Sequence, residues 1–478
     1  MASKKTLNAK NLEALGAARL AELLIEISTG NAASKRHLRL ELAGALGPKE
    51  VARDIRKRLA TIARSRSFVE WDRTRPLVQD LETQRNAIVT KVAPKEPEEA
   101  LDLMWRFLGL AASIYERCDD SNGSVGDVFY SAREDLGEIA ESAQQDTNTL
   151  ADRVFEALQD NGYGQYDNLI PLLSPVLGSD GLLHLKKHIL ELAEHPVPVP
   201  PEEEREVVGW GSGGETYAHE MAERSRQSTV RMALMDIADA EGDVDAFIAQ
   251  YDAKTRKVPK IAANIAERLL AAGRAEDAWG FIERAESRNQ SWVPSEWQKV
   301  RLDVLEAIGR GDEAQAFRLK CFQRSLAADH LRAYIKRLPD FDDVEAEDKA
   351  MDYALTYPSA LSALHFLIHW PALEHAAQLV INRADEMDGD HYEILTPTAD
   401  ALAANYPLAA TLALLAMIDF ALGAARSKRY RHAARHLLES ESLAGQIEEF
   451  GNVEQHVTYV TNLKAKHGRK QSFWQHVE

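Results

Sequence analysis

The chain has 478 residues, of which 45% are hydrophobic and 28% are charged, so it has ample apolar material for a large core. Its formal net charge of -18 argues against general affinity for nucleic acid. The charge is uneven, because residues 31–90 carry 13 Lys and Arg against 7 Asp and Glu. A basic N-terminal segment therefore stands out from an acidic chain.

Several features predict a cytoplasmic protein. Met1–Lys5 lacks the apolar core of a secretory signal. The apolar run Thr411–Ala425 is short and contains Asp419, which predicts a buried helix rather than a membrane span. The two cysteines, Cys118 and Cys321, are too few for a disulfide framework, and Cys321 is expected to be a small core residue.

Helical periodicity dominates residues 1–195, which we predict to be an N-terminal helical domain. The third helix is the most polarised, because Val51, Ile55, Leu59 and Ile62 form an apolar stripe. The predicted helices are Leu7–Ile27, Lys35–Leu46, Lys49–Arg66, Pro76–Val92, Glu98–Arg117, Val125–Ala143, Thr149–Asp160, Tyr166–Leu177 and Gly181–Glu194.

A separate basic stripe on the third helix is the candidate binding site. Arginines and aromatics also follow it, at Arg66, Phe68, Trp71, Arg73 and Arg75. Such a surface can contact phosphates and stack on bases, it can dock an acidic protein, or it can be a solvated face. The predicted partner-binding residues are Arg53, Arg56, Lys57, Arg64, Arg66 and Trp71.

Residues 196–228 are predicted to be a linker. His195–Pro201 contains four prolines, which favour an extended segment, and Glu202–Glu204 follows it. Gly209–Gly214 fits the pattern G-x-G-x-x-G, but a proline-rich, acidic segment precedes it where a nucleotide site requires a strand. We therefore expect a loop there, with helices resuming near Glu215.

We predict that the C-terminal domain covers residues 229–478. One sequence pattern, typical of two helices joined by a short turn, occurs three times in it. Each copy has a glycine (Gly242, Gly273 and Gly309) between two amphipathic helices, at steps of 31 residues (242 to 273) and 36 residues (273 to 309). These steps are close to the roughly 34-residue period of tetratricopeptide (TPR) helix pairs. Glycine suits such turns because it accepts a positive φ. Trp279 and Ile282 are expected to be buried between these helices.

Further helices are predicted after the repeats, at Ala346–Thr356, Ser359–His369, Pro371–Glu386, His391–Asn405, Pro407–Arg426, Tyr430–Gln446 and Val453–His467. Two pairs of histidines in them, His365 with His369 and His432 with His436, are spaced one helical turn apart. Neither pair has the Glu after its first His that the metalloprotease motif requires. We therefore predict no metal site and no cofactor.

Five short sequence segments are distinctive: Pro200–Glu206, Gly209–Gly211, Asp236–Asp239, Leu338–Asp343 and His467–Lys470. They resemble segments of an uncharacterised bacterial family of long helical proteins, and the resemblance covers most of the chain. The C-terminal half is also similar to helical regions that follow SWIM zinc-binding modules, but the cysteine-rich SWIM pattern is missing. The resemblance implies a helical fold and supplies no catalytic residues.

Together these patterns predict an all-α protein, an α-solenoid of TPR-like antiparallel helix hairpins in two segments. Concave solenoid faces usually bind other proteins, so the leading hypothesis is a non-enzymatic scaffold or adaptor. The alternative is a nucleic-acid-associated protein that uses the basic helices. An enzyme is not expected, because no nucleophile, base and oxyanion-stabilising group occur at a recognisable spacing.

Overall fold

Helices account for most of the chain, which confirms the all-α prediction. The computed structural model describes residues 6–211, 213–285 and 294–477. Met1–Lys5 and Ser212, on which part of the sequence analysis rests, lie outside these ranges. So does the stretch 286–293 within the predicted repeats.

The chain divides into two compact units, Met1–Ile261 and Ala262–Glu478. The helices α1 to α12 of the first unit are Ala9–Glu13, Ala17–Ser28, Ala32–Leu46, Pro48–Ala63, Thr74–Ala87, Pro97–Leu108, Ala111–Tyr115, Ser124–Ser142, Thr147–Gln159, Leu169–Glu194, Ala218–Glu241 and Val244–Ala249. Short 3-10 helices are Trp71–Arg73, Glu202–Glu204 and Thr255–Lys257, and a π-helical turn, Ile88–Val92, extends α5.

Helix α13, Pro259–Ala271, crosses the division at Ile261. The helices α14 to α25 follow as Ala275–Ala285, Ser295–Ala307, Gly311–Ser325, Ala328–Ile335, Asp342–Leu355, Ala360–His369, Leu373–Asn382, Tyr392–Leu402, Pro407–Gly423, Tyr430–Ala444, His456–His467 and Gln471–Trp474. Ala384–Glu386 and Ser427–Arg429 are 3-10 helices. Among the described helices, none is long and apolar enough to cross a membrane.

The core of the first unit runs from Leu40 to Ile237 and contains the whole apolar stripe of α4. Helix α11 packs on α10, and its Ala233 and Ile237 belong to that same core. Packing therefore joins α11 to the first unit, although its first residues fall within the predicted linker. The limits at residues 195 and 228 stay a prediction.

The N-terminal helix Leu7–Ile27 was predicted as one piece, and this is wrong. Gly16 adopts a positive φ of 79° and separates α1 from α2. The predicted apolar side of this segment does not enter the core, since Leu24 and Ile27 are exposed. Leu42 and Leu46 of α3 are exposed as well.

The glycine-rich segment forms a β-hairpin, where the sequence predicted a loop. Strands β1 (Val207–Gly211) and β2 (Gly214–Tyr217) are antiparallel, and Gly211 pairs with Gly214. The β-branched Val207 and Val208 and the aromatic Trp210 favour the strand conformation, which outweighs the glycines between them. Trp210 is 78% exposed.

The three repeat glycines lie in inter-helix turns, as predicted. Gly242, Gly273 and Gly309 have φ values of 69°, 74° and 75°. In each turn the N–H of the residue after the glycine donates to a carbonyl five residues earlier, at 2.8 Å: Asp243 to Ala238, Arg274 to Leu269 and Arg310 to Leu305. These bonds are those of a Schellman helix end. The repeated sequence pattern therefore forms the same helix-ending turn each time.

The residue after each glycine also begins the next helix. Asp243 accepts a hydrogen bond from the N–H of Ala246 at 2.9 Å. Arg274 reaches Asp277 at 2.8 Å, and Arg310 likewise pairs with Glu313 at 2.5 Å. One residue therefore ends one helix and holds the first turn of the next.

The predicted burial of the repeat side chains is correct for Ile282 and Cys321 and wrong for Trp279. Ile282 is fully buried, and Cys321 is buried with the pKa of its thiol raised to about 11 by desolvation. Trp279 is only half-buried, because its ring faces the guanidinium groups of Arg310 at 4.5 Å and Arg301 at 5.2 Å. Two arginines partly cover the indole where a helix was expected to do so.

Gly309→Ala should lower the free energy of unfolding by about 1–2 kcal/mol, because a side chain is strained at positive φ. Space is not the reason, since a Cβ at Gly309 meets nothing within 4 Å. Gly311→Ala, two residues on and also unobstructed, is the matched control. It should be neutral or slightly stabilising, because alanine is a better helix former. Equal losses in urea titrations would contradict this turn geometry.

Candidate functional site

The segment between α4 and α5 is held to the core by its backbone. The N–H of Val69 donates to the carbonyl of Arg117 at 2.8 Å, and the N–H of Asp119 donates to the carbonyl of Val69 at 3.0 Å. The buried Arg117 guanidinium also donates to the carbonyls of Ile62 and Ser67, each at 3.4 Å. The segment is thus fixed at both its start and its middle.

Because Val69 turns inward, its aromatic neighbours face solvent. Phe68 is 60% exposed and Trp71 is 61% exposed. The backbone of Trp71 is held in a 3-10 turn, where the hydroxyl of the buried Thr74 donates to its carbonyl at 3.0 Å. Two large apolar rings are therefore presented to solvent from a fixed backbone.

The structure divides the predicted basic stripe into two groups. The three cations on the body of α4 are each within ion-pair distance of a carboxylate, which neutralises them locally. Two of those carboxylates lie three residues earlier on the same helix, and the third comes from α6. The pairs are Arg53–Glu50, Lys57–Asp54 at 3.8 Å, and Arg56–Glu99.

The second group is unpaired. The side chains of Arg64, Arg66, Arg73 and Arg75 are exposed, and none makes a hydrogen bond or ion pair to another described residue. Together with the two exposed rings they define what we call the arginine–aromatic surface: Arg64, Arg66, Phe68, Trp71, Arg73 and Arg75. It contains three of the six residues predicted to bind a partner.

Two exposed carboxylates lie among these cations. Glu70 and Asp72 flank Trp71, so the segment 64–75 has four arginines against two acids. A phosphate backbone would meet repulsion beside the indole ring. The exposed aromatic rings and the arginines are residue types that are enriched in protein interfaces.

Residues 2–476 match a family model described as a family of unknown function, DUF6880. The chain belongs to that family. The match confirms the expected resemblance to an uncharacterised family, and the likeness to TPR-like and SWIM-associated helices stays a prediction. No curated protein matches this DUF6880 chain.

The two predicted histidine pairs of the DUF6880 chain differ in their surroundings. The rings of His365 and His369 stack with centroids 4.1 Å apart, and Nδ1 of His369 contacts the carbonyl of His365 at 2.7 Å. His436 is buried, and its Nδ1 lies 3.2 Å from Glu439. Among the described residues, neither pair belongs to a group of three metal-ligand side chains.

His432 and His436 instead line a cavity of about 510 Å³ between α21, α22 and α23. Its lining includes Met417, Tyr392 and Arg429. That arginine is already paired with Asp390 at 2.7 Å. The cavity is therefore lined by both apolar and cationic side chains, and an ion pair neutralises one of the cations.

A third histidine pair was missed by the sequence reasoning. His184 and His188 are also one helical turn apart, and they meet Asp152 of the neighbouring helix α9. The i, i+4 spacing in the sequence was the available signal. The carboxylate comes from 32 residues earlier (152 to 184), so only the tertiary packing reveals it.

Proposed function

We propose that the protein is a non-enzymatic, cytoplasmic interaction scaffold built as a solenoid of TPR-like helix hairpins. The three turns at Gly242, Gly273 and Gly309 support the repeat, because each uses the same backbone hydrogen bonds. The two cysteines are free thiols, which suits a reducing compartment. Exposed apolar residues on α2 and α3, such as Ile27 and Leu42, suit a protein that binds other proteins.

The arginine–aromatic surface is proposed as the docking site for an acidic segment of a partner protein that also carries apolar side chains. The observation that carries this proposal is the exposure of Phe68 and Trp71 beside four unpaired arginines. Arginine and tryptophan contribute most often to binding hot spots, because each buries a large planar group on association. Guanidinium groups also bind carboxylates in a bidentate geometry.

The alternative, a nucleic-acid-associated protein, has less support. Arg53, Arg56 and Lys57 are occupied by carboxylates, and Glu70 and Asp72 interrupt the remaining cations. Nucleic acid would still stack on the two rings, so the experiment must separate the two partner classes.

The test is a photo-crosslinking amino acid in place of Phe68 in the native host, with the adducts treated with nuclease. We expect discrete, nuclease-resistant protein adducts. Replacing Arg64, Arg66 and Arg73 together by Gln should reduce them at least about tenfold, as loss of an interface hot spot does. The matched control replaces Arg53, Arg56 and Lys57 by Gln, which removes the same three positive charges from ion-paired positions.

The control variant should retain its adducts and its stability, because exposed ion pairs contribute roughly 0–1 kcal/mol each. The partner identified by mass spectrometry, once purified, should bind the wild type and not the Arg64, Arg66 and Arg73 variant. Nuclease-sensitive adducts would favour the nucleic-acid alternative. Equal losses from both variants would show that only general charge matters and would refute the docking surface.

A further inference from the structure

Three potential ligand atoms converge between α9 and α10. Nε2 of His184 lies 2.8 Å from Oδ1 of Asp152, and Nε2 of His188 lies 3.0 Å from the same oxygen. The two Nε2 atoms are 3.1 Å apart. They form a nearly equilateral triangle of two imidazole nitrogens and one carboxylate oxygen.

With Asp152 ionised, hydrogen bonds alone cannot account for all three short contacts. A carboxylate oxygen only accepts, so both Nε2 atoms must carry a proton to bond with it. Both N–H groups would then converge on the one oxygen, with their nitrogens crowded 3.1 Å apart and no hydrogen bond between them. If one ring instead accepts from the other, its lone pair faces the lone pairs of Oδ1. With Asp152 ionised, each of these arrangements therefore leaves one of the three short contacts without a hydrogen bond.

We propose that Asp152, His184 and His188 form a site for a divalent transition-metal ion of the zinc class. A cation between the three atoms turns each lone pair into a ligand and removes the conflict. Zinc ligands at about 2.0–2.2 Å in tetrahedral geometry are roughly 3.3 Å apart. The observed separations of 2.8–3.1 Å are within small side-chain rotations of that value. Two imidazoles and one carboxylate select zinc-like ions over calcium or magnesium.

The surrounding residues fit ligand roles. Nδ1 of His188 lies 3.8 Å from a carboxylate oxygen of Glu191, which is an ion-pair distance and not a hydrogen bond. A carboxylate near the second ring nitrogen is the kind of partner that can orient a metal-binding imidazole. The ring of Phe155 on α9 stacks on the His188 ring, with centroids 5.1 Å apart. Both histidine rings keep about 30% of their side-chain surface exposed, which leaves a coordination position for water.

The backbone explains how the two helices meet there. Gly178 has a positive φ of 58° and interrupts α10, so the half that carries both histidines follows its own direction. Leu182, Leu185 and Ile189 bury the opposite side of that half. A metal at this place would link α9 to the second half of α10.

The test is titration of the full chain, purified without a histidine tag, with Co²⁺ as a spectroscopic probe and Zn²⁺ for affinity and thermal stability. We expect one Co²⁺ per chain with visible d–d bands and a Zn²⁺-dependent rise in Tm. Replacing His184 and His188 together by Gln should weaken binding at least about 100-fold, because two of three ligands are lost. Replacing His365 and His369 by Gln is the matched control, since it removes two histidines of the same spacing and should preserve the site.

Asp152→Ala is a second variant, chosen because the Asp152 side chain is 54% exposed and its loss should not disturb folding. It should also lose the tight site and the Zn²⁺-dependent rise in Tm. Wild-type spectra without d–d bands at 100 µM Co²⁺ would overturn the proposal. So would equal affinity in the wild type and in folded Asp152→Ala, or equal losses in the two histidine double variants.

Discussion

Trp71→Ala is expected to reduce partner capture at the arginine–aromatic surface by about tenfold or more, with no loss of stability. A tryptophan at the centre of an interface contributes roughly 2 kcal/mol, which corresponds to a factor of about 30 in affinity. Because the Trp71 side chain is 61% exposed in the free protein, its removal opens no cavity. The measurement is the dissociation constant of the crosslinked partner, compared with the urea midpoint of the same variant.

Trp210→Ala is the matched control, because Trp210 is also a highly exposed tryptophan and lies on the β-hairpin. It should leave the affinity unchanged. Equal losses of affinity from both variants would mean that the partner binds exposed aromatic side chains in general. A large loss of stability in Trp71→Ala would assign the ring to the fold rather than to docking.

The repeat turns show how far a sequence pattern predicts this fold. Glycine at Gly242, Gly273 and Gly309 indicated a positive φ, and the turns formed there. The same type of hydrogen bond, from an N–H to the carbonyl five residues earlier, also closes the ends of α19 and α22. The N–H of Ala372 donates to the carbonyl of Leu367, and the N–H of Arg426 donates to the carbonyl of Ala421, both at 2.9 Å. The residue at positive φ in those turns is not a glycine: Pro371 has a φ of 25° and Ala425 a φ of 53°. Where packing imposes a positive φ on a residue other than glycine, the sequence does not reveal the turn.

The candidate site was predictable where its partners are local. Glu50 precedes Arg53 by three residues, and Asp54 precedes Lys57 by three, so helical spacing already indicates those ion pairs. The partner of Arg56 is Glu99 on α6, which only the packing of α4 against α6 brings near. For the same reason, the sequence did not show that Asp152 on α9 contacts the two histidines of α10. Residue types and helical faces could be read in advance, but pairing between helices could not.

An acidic residue of the second unit holds a buried arginine, and its removal has the largest expected effect on stability. Arg318 on α16 is 3% exposed, and its guanidinium pairs with Glu306 on α15 and donates to Gln315 at 2.9 Å. Arg337 also reaches Glu306, at 3.0 Å. Glu306→Ala should cost about 3 kcal/mol, because a buried guanidinium is left without a carboxylate. This is the low end of the range for such pairs, since Glu306 itself is 38% exposed.

The measurement is a urea titration of Glu306→Ala beside the double variant Glu306→Ala with Arg318→Met and the exposed control Glu313→Ala. The double variant should recover part of the loss, because it removes the stranded charge, and the control should change little. Burial acts to raise the pKa of Glu306, but its hydrogen bond with Arg318 and the nearby arginine charges outweigh this and lower the pKa below its usual range. Because the pKa of Glu306 is lower in the folded state than in the unfolded state, the ionised carboxylate stabilises the fold fully at a pH above its usual pKa. This stabilisation is lost as the pH falls through the pKa of the folded state. The cost of Glu306→Ala should therefore be largest near neutral pH and shrink in acid, and a cost independent of pH would show that lost packing, not the stranded charge, is responsible.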